Sequence, residues 1–232
     1  MNLMMRSSTL AVCLGLGLIG SAHAGEPGWY LVGFGGESSA SGASQNQMDE
    51  NLVPIFESGG LDVVDFTSTI DDSDTGFGFA GGYQLNRHFA MEFAYVDLGS
   101  LDYQATVTVT DGVDERDAEV RFGNSAHGPV VSAIGILPIG ERFSVFGRVG
   151  LSLLNAEGSV RITLDGASQH ASQSSQKTDP MYGLGAEFNV SKNFAVRVAW
   201  DRYLDIGTKD IAGDVDADLI TLGVRMGLAW FR

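Results

Sequence analysis

Residues 74–98, DTGFGFAGGYQLNRHFAMEFAYVDL, decide most of what this chain can fold into. Side chains on an extended strand alternate with period two. Thr75, Phe77, Phe79, Gly81, Tyr83 and Leu85 therefore share one face, and Gly76, Gly78, Ala80, Gly82 and Gln84 the other. A short polar turn, Leu85-Asn86-Arg87-His88, leads into a second arm. There Phe89, Met91, Phe93 and Tyr95 oppose Ala90, Glu92 and Ala94. This is a hairpin signal. A soluble sheet hides its large apolar face under a second layer. Here the opposite face is small and carries a carboxylate, so inside and outside are exchanged. That exchange predicts a membrane β-barrel, apolar toward lipid and small or polar toward the lumen.

The N-terminus points to export. Arg6 precedes an apolar run, Leu10 to Gly20, and Ala22-His23-Ala24 has the spacing signal peptidase cuts. Residues 1–24 are expected to be a cleaved signal peptide, and residues 25–232 one barrel domain with four long extracellular loops. Cys13, the single cysteine, falls inside the apolar run, which excludes a lipoprotein anchor and leaves the mature chain without disulfide or thiol chemistry. No later stretch reaches the roughly 18 apolar residues of a helical span. A mean hydropathy of +0.07 suits strands of which half the residues face a polar interior. With 29 acidic against 14 basic residues, nucleic acid is excluded as a partner, and the surplus fits solvated loops.

Eight strands are predicted. The first is Trp29 to Gly36, with Tyr30, Val32 and Phe34 on its large face. A long Ser/Gly/Asp/Glu segment follows, in which Met48 to Phe56 could form a short helix. The hairpin supplies strands two and three, the latter continuing through Tyr103 to Thr110 before an acidic loop at 111–119. Strand four lies within Ala126 to Leu137, its facing left open because Val130 and Val131 are adjacent. Strand five is Phe143 to Leu153, and a polar loop is expected from Asn155 to Pro180. Tyr182 to Val190, Phe194 to Trp200 and Ile220 to Trp230 complete the set. YQLNRHFAMEFAY, LPIGERFSVFGRV and FNVSKNFAVRVAW form an internal repeat: a tight polar turn, then Phe89, Phe143 or Phe194. Short turns at one end and long loops at the other match an up-and-down barrel whose closed ring leaves no strand edge in lipid. The three phenylalanines are expected at one membrane border as an aromatic girdle.

Glu92, Arg148, Glu187, Arg197 and Arg225 fall on the lumen face of their strands. Inside an eight-stranded barrel, just wide enough to be filled by side chains, they are expected to pair. Arg148 would bridge toward Glu92 or Glu187, with Arg197 and Arg225 completing the balance. Other motifs carry less. Gly76 to Gly81 matches G-x-G-x-x-G, but lies within one alternating strand and lacks the following helix of a dinucleotide site. Asp71 to Gly76 resembles the start of a calcium loop, yet its twelfth position would be Gly82 where a Glu is required. Ser125 with His127, or Ser172 with His170, raises the alternative of a lipid-modifying hydrolase, without an obvious orienting acid. No His/Cys cluster has metal-site spacing.

DSDTGFGFAGGYQLNRHFAMEFAYVDLGSLDY closely resembles the second hairpin of the OmpA-like transmembrane barrel family, and SVFGRVGLSLL, YGLGAEFNVSKNFAVRVAWDRY and ITLGVRMGL look like its later strands. The resemblance covers essentially the mature chain. It implies an eight-stranded, all-β outer-membrane barrel with an interior ion-pair network, Glu92, Arg148, Glu187 and Arg197 lying on matching lumen positions. The expected role is non-enzymatic support of the envelope and surface display, with a narrow ion channel as the alternative. Expected partners are outer-membrane lipids, lipopolysaccharide and the barrel-assembly machinery. No cofactor and no peptidoglycan-binding domain are expected, and the barrel should be a monomer. The chain ends Trp230-Phe231-Arg232 instead of in the terminal Phe of the family.

Overall fold

The computed structural model describes residues 27–41, 45–58, 60–71, 73–110, 112, 114–164, 167–206 and 216–228. The expected signal peptide, Cys13 and Trp230-Phe231 lie outside these residues. The strands are β1 (Gly28–Ser41), β2 (Asp62–Asp71), β3 (Ser73–Gln84), β4 (Phe89–Thr110), β5 (Glu115–Ile139), β6 (Phe143–Leu164), β7 (Ala167–Asn189), β8 (Phe194–Tyr203) and β9 (Asp216–Gly227); one helix, α1 (Gln45–Ser58), precedes β2.

Eight of these strands close an antiparallel ring in the order β1-β3-β4-β5-β6-β7-β8-β9, with β9 pairing back onto β1 from Tyr30↔Gly227 to Ser41↔Asp216. Closure removes both sheet edges, as a strand bundle in lipid requires. The alternation of the sequence sets the facing. Phe79, Phe93 and Val198 point outward at 66%, 62% and 51% exposure, whereas Glu92 and Arg148 face inward at 2% and 8%. Val130 points in and Val131 out, which settles strand four.

Two of the three short turns share one chemistry. Asn86 Oδ1 accepts from the N–H groups of His88 (2.8 Å) and Phe89 (3.0 Å). Ser191 Oγ plays the same part for Asn193 and Phe194. These side-chain bonds to the local backbone fix the turn that the repeat announced.

The long-loop end differs from expectation. Residues 155–164 and 167–180, expected as a loop, are paired strand, from Asn155↔Gln176 to Leu164↔Ala167. Of the acidic loop expected at 111–119, residues 115–119 are strand, because β5 begins at Glu115. A further strand, β2, adds to the outer half of β4 (Asp62↔Thr110 to Asp71↔Asp102). Long strands continue because unpaired backbone amides are costly and each neighbour offers partners. The result is a sheet, β2-β4-β5-β6-β7, standing beyond the ring. Its inner face has a core of its own: Leu52 and Phe56 of α1 pack with Tyr103, Ala105, Val107, Val109, Ala118 and Val120.

Candidate functional site

The lumen-facing alternation brings ionisable side chains from β4, β6, β7, β8 and β9 to one level of the barrel. Glu92 accepts from Arg197 Nη1 (2.6 Å), from the Tyr30 hydroxyl (2.9 Å) and, at 3.5 Å, from Arg148. Glu187 Oε2 accepts from Arg197 Nε (3.1 Å) and Nη2 (3.0 Å), and its Oε1 from Arg225 (2.9 Å). Arg225 also donates to Gln84 Oε1 at 2.5 Å. Arg148 makes its main contact, through Nε and Nη2, with Asp201. Arg197 stacks 4.9 Å from the Phe146 ring centre and Arg225 4.1 Å from that of Tyr30.

All five expected lumen residues thus lie in one cluster. Arg148 reaches Glu92 but not Glu187, and its strongest partner, Asp201, was not among the expected residues. Asp201 completes the charge balance: Glu92, Glu187 and Asp201 face Arg148, Arg197 and Arg225. It was legible by parity, since 195, 197, 199 and 201 all face inward. The expected strand stopped one residue short, at Trp200.

Glycines make the cluster possible. A narrow lumen forces long side chains to lie sideways, across the neighbouring strand. Gly183 sits between Arg148 and Asp201 in register, and a Cβ there would collide with Asp201 Oδ1. Gly82 likewise lies between Tyr30 and Glu92, under the Tyr30 ring. Phe146 lies over Gly185 in the same manner. The cavity nearest the cluster, lined among others by Tyr30, Gln84, Ser144 and Arg197, holds about 40 Å³, room for a few waters. Toward the long-loop end an apolar tier of Val96, Leu98, Leu154, Met181, Tyr203 and Leu219 fills the lumen.

Phe89, Phe143 and Phe194 each open a strand after a short turn, on the outward face at one end of the ring. Ser125 and His127 also stand on the outward face of β5, His127 beside Tyr95 (ring centres 6.3 Å apart). Among the described residues neither makes a hydrogen bond to the other or to a carboxylate. His170 and Ser172 stand on the outward face of β7, beyond the ring. Among the described residues no group of His, Cys, Asp and Glu has metal-site geometry.

A closed strand ring, hydrophobic outside and ion-paired within, defines a transmembrane β-barrel protein. The description of the OmpA-like transmembrane domain matches residues 28–229, and the chain belongs to that family. It is 27% identical over 150 residues to outer membrane protein A of Yersinia pseudotuberculosis, and 25% over 144 residues to that of Serratia marcescens. These alignments cover 64% and 62% of this chain but 38% and 36% of the relatives, so the chain spans little over a third of their length. Among solved structures it is similar to Neisserial surface protein A (TM-score 0.45, 15% identity, 86% of this chain and 97% of that one). It is also similar to the attachment invasion locus protein of Yersinia pestis (TM-score 0.41, 18% identity, 89% and 100%). The protein is located in the outer membrane.

Proposed function

We propose that this protein is a non-enzymatic membrane anchor that supports the envelope and holds a folded platform on the cell surface. The observation that carries this reading is the filled lumen beneath an extended, self-packed sheet. Ion pairs and the apolar tier above them occupy the interior. Conduction would require both layers to part. The wall continues beyond the ring as β2-β4-β5-β6-β7, closed on its inner face by α1. Charge supports an orientation. The short-turn end carries Arg87, Arg142 and Lys192 against Glu141, while the extended end is rich in Asp and Glu. In this reading the short turns face the periplasm and the extended sheet faces outward. Export by a signal peptide over residues 1–24, insertion by the barrel-assembly machinery and a monomeric state belong to the same proposal. A ring with no free edge needs no partner strand in lipid.

The test is epitope insertion at Gly112, in the β4–β5 connection, and at Gly140, in the β5–β6 turn. On intact cells antibody should label the first and not the second. Labelling of Gly140 instead would overturn the orientation, and a steady single-channel current in planar bilayers would overturn the anchoring role.

A further inference from the structure

The outward face of the extended sheet is mostly acidic or neutral, and one row breaks that pattern. Register aligns Thr69, Gln104, Arg121, Arg161 and His170 across β2, β4, β5, β6 and β7. Three adjacent strands thus present two guanidiniums and an imidazole side by side, all exposed. Directly opposed side chains on one sheet face have Cβ atoms about 5 Å apart, and like charges there are destabilising. The sheet compensates for only one of the three. Arg121 binds Glu119 through Nε (2.9 Å) and Nη2 (2.5 Å). Among the described residues Arg161 and His170 have no hydrogen-bond or ion-pair partner.

The surroundings suit a small anion. On one side the next row is Gly123, Ser159 and Ser172; on the other it is Glu119, Thr163 and Ser168. Gly123 adds no side chain beside Arg121, its space being bordered by Ser159 Oγ and the Asp102 carboxylate, and four hydroxyls border the cations. Asp102 and Asp71, which continue the Gly123 row, and on the other side Glu119 with Asp117 and Glu115, limit the patch to one row. A single tetrahedral anion fits such a row, and a long polyanion does not. Guanidinium pairs recognise phosphate and sulfate through paired N–H donors. The row stands six residues beyond His127, the last outward ring residue of β5 near the aromatic Tyr95. At about 3.3 Å per residue this is about 20 Å along the strand, at the height of sugars and not of acyl chains.

We propose that Arg121, Arg161 and His170 bind a phosphate group carried on a saccharide. Two sources share that chemistry: the phosphorylated sugars of lipopolysaccharide in the same leaflet, and a soluble glycan. The inference rests on the sheet lying outside the membrane, but its test uses purified protein and so fails or succeeds independently of orientation. The full chain in phospholipid nanodiscs is titrated calorimetrically with glucose 6-phosphate, and with glucose as the uncharged control. The sugar phosphate should bind and glucose should not. R161Q and R121Q should each weaken binding by about tenfold, and H170A several-fold. K177Q, outside the row and paired with Asp179, should leave it unchanged. A compact gel band before heating confirms that each exposed variant is folded. Repeating the titration in nanodiscs containing lipopolysaccharide separates the sources: competition identifies the resident lipid, and unchanged binding identifies a soluble glycan. Absence of glucose 6-phosphate binding, or equal binding by the R121Q/R161Q double variant, overturns the proposal.

Discussion

Replacing Asp201 by asparagine removes one negative charge from a cluster that otherwise balances. Asp201 is fully buried and Arg148 is 8% exposed, so neither reaches bulk water. After the change Arg148 retains Glu92 at 3.5 Å, at the limit of a hydrogen bond. Leaving one member of a buried pair without its partner costs about 3–5 kcal/mol. The remaining Glu92 contact argues for the lower end, about 3 kcal/mol. With a urea slope of about 2 kcal/mol per molar, the unfolding midpoint should fall by about 1.5 M. The assay is a urea titration in phospholipid vesicles, read by loss of the compact, heat-sensitive gel band. The double variant Arg148→Met, Asp201→Asn should recover part of the loss, because both charges then leave the lumen together. A single-variant cost below about 0.5 kcal/mol would refute the reasoning, as would full additivity in the double variant.

Gly82→Val puts a branched side chain where the Tyr30 ring lies and should cost about 1–3 kcal/mol in the same titration; Gly81→Val, whose Cβ meets only Leu31 at 3.9 Å on the lipid face, should be near neutral. Asp49→Ala removes the acceptor for the Tyr103 hydroxyl (2.5 Å) and Ser68 (3.0 Å), so limited proteolysis should cut within 45–58 faster while the barrel band persists. Burial and the Asp49 carboxylate together hold the Tyr103 phenol well above its ordinary range, so its ultraviolet ionisation step should move down in that variant. Around Asp74, burial disfavours the carboxylate, but the Ser100 and Thr75 amides and the Ser100 hydroxyl outweigh it and hold the group below its usual range. A depressed carboxylate stabilises above its unfolded pKa, about 3.9, and the gain fades as pH falls through the folded value. Hydrogen exchange at Ser100, corrected for intrinsic rates, should therefore stay protected from pH 8 to about 5 and weaken only in stronger acid. In Asp74→Asn that acid dependence should vanish.

What the sequence disclosed follows from where lipid imposes a rule. Within the ring every outward residue meets hydrocarbon, so Phe77, Phe79, Phe93 and Val198 alternate and the strands are readable. The lumen residues were legible for the same reason, as charges on the face opposite the hydrophobes. Asp201 escaped because Trp200-Asp201-Arg202 carries charge on both faces, which resembles a loop. Residues 167–178 escaped for a different reason. ASQHASQSSQKT has no apolar face at all, and becomes strand because β6 offers its backbone along the whole length. β2 escaped because its apolar residues do not alternate regularly: Val63 and Val64 are adjacent, at the register shift between Val63 and Asp65, ahead of Phe66 and Ile70. Pairing outside the membrane is decided by neighbours, which periodicity along one strand does not reveal.

The passage of β4 out of the barrel shows how one strand serves two environments. Its hydrophobes for lipid and for α1 all stand on odd positions, Phe89, Met91, Phe93 and Tyr95 in the ring, then Tyr103, Val107 and Val109 beyond it, while the even Val96 and Leu98 line the lumen. In the ring odd residues must face lipid, and in the platform they must face α1, so the facing has to reverse. One extra residue does this. Between Asp97 and Ser100 β4 advances three positions while β5 advances two, from His127 to Ser125. Gly99 occupies the bulge with φ +74°, and a Cβ there would meet Asp74 Oδ2 at 2.7 Å. Asp97 Oδ1 accepts the Gly99 N–H (2.9 Å), and Asp74 accepts from Ser100 on the other side. β5 meets the same demand differently. Its even residues face inward at both levels, from Val120 to Ile134, and the sequence itself changes phase around Gly128-Pro129. A bulge and a change of composition are thus interchangeable solutions to one constraint, that apolar side chains point toward lipid below the rim and toward protein above it.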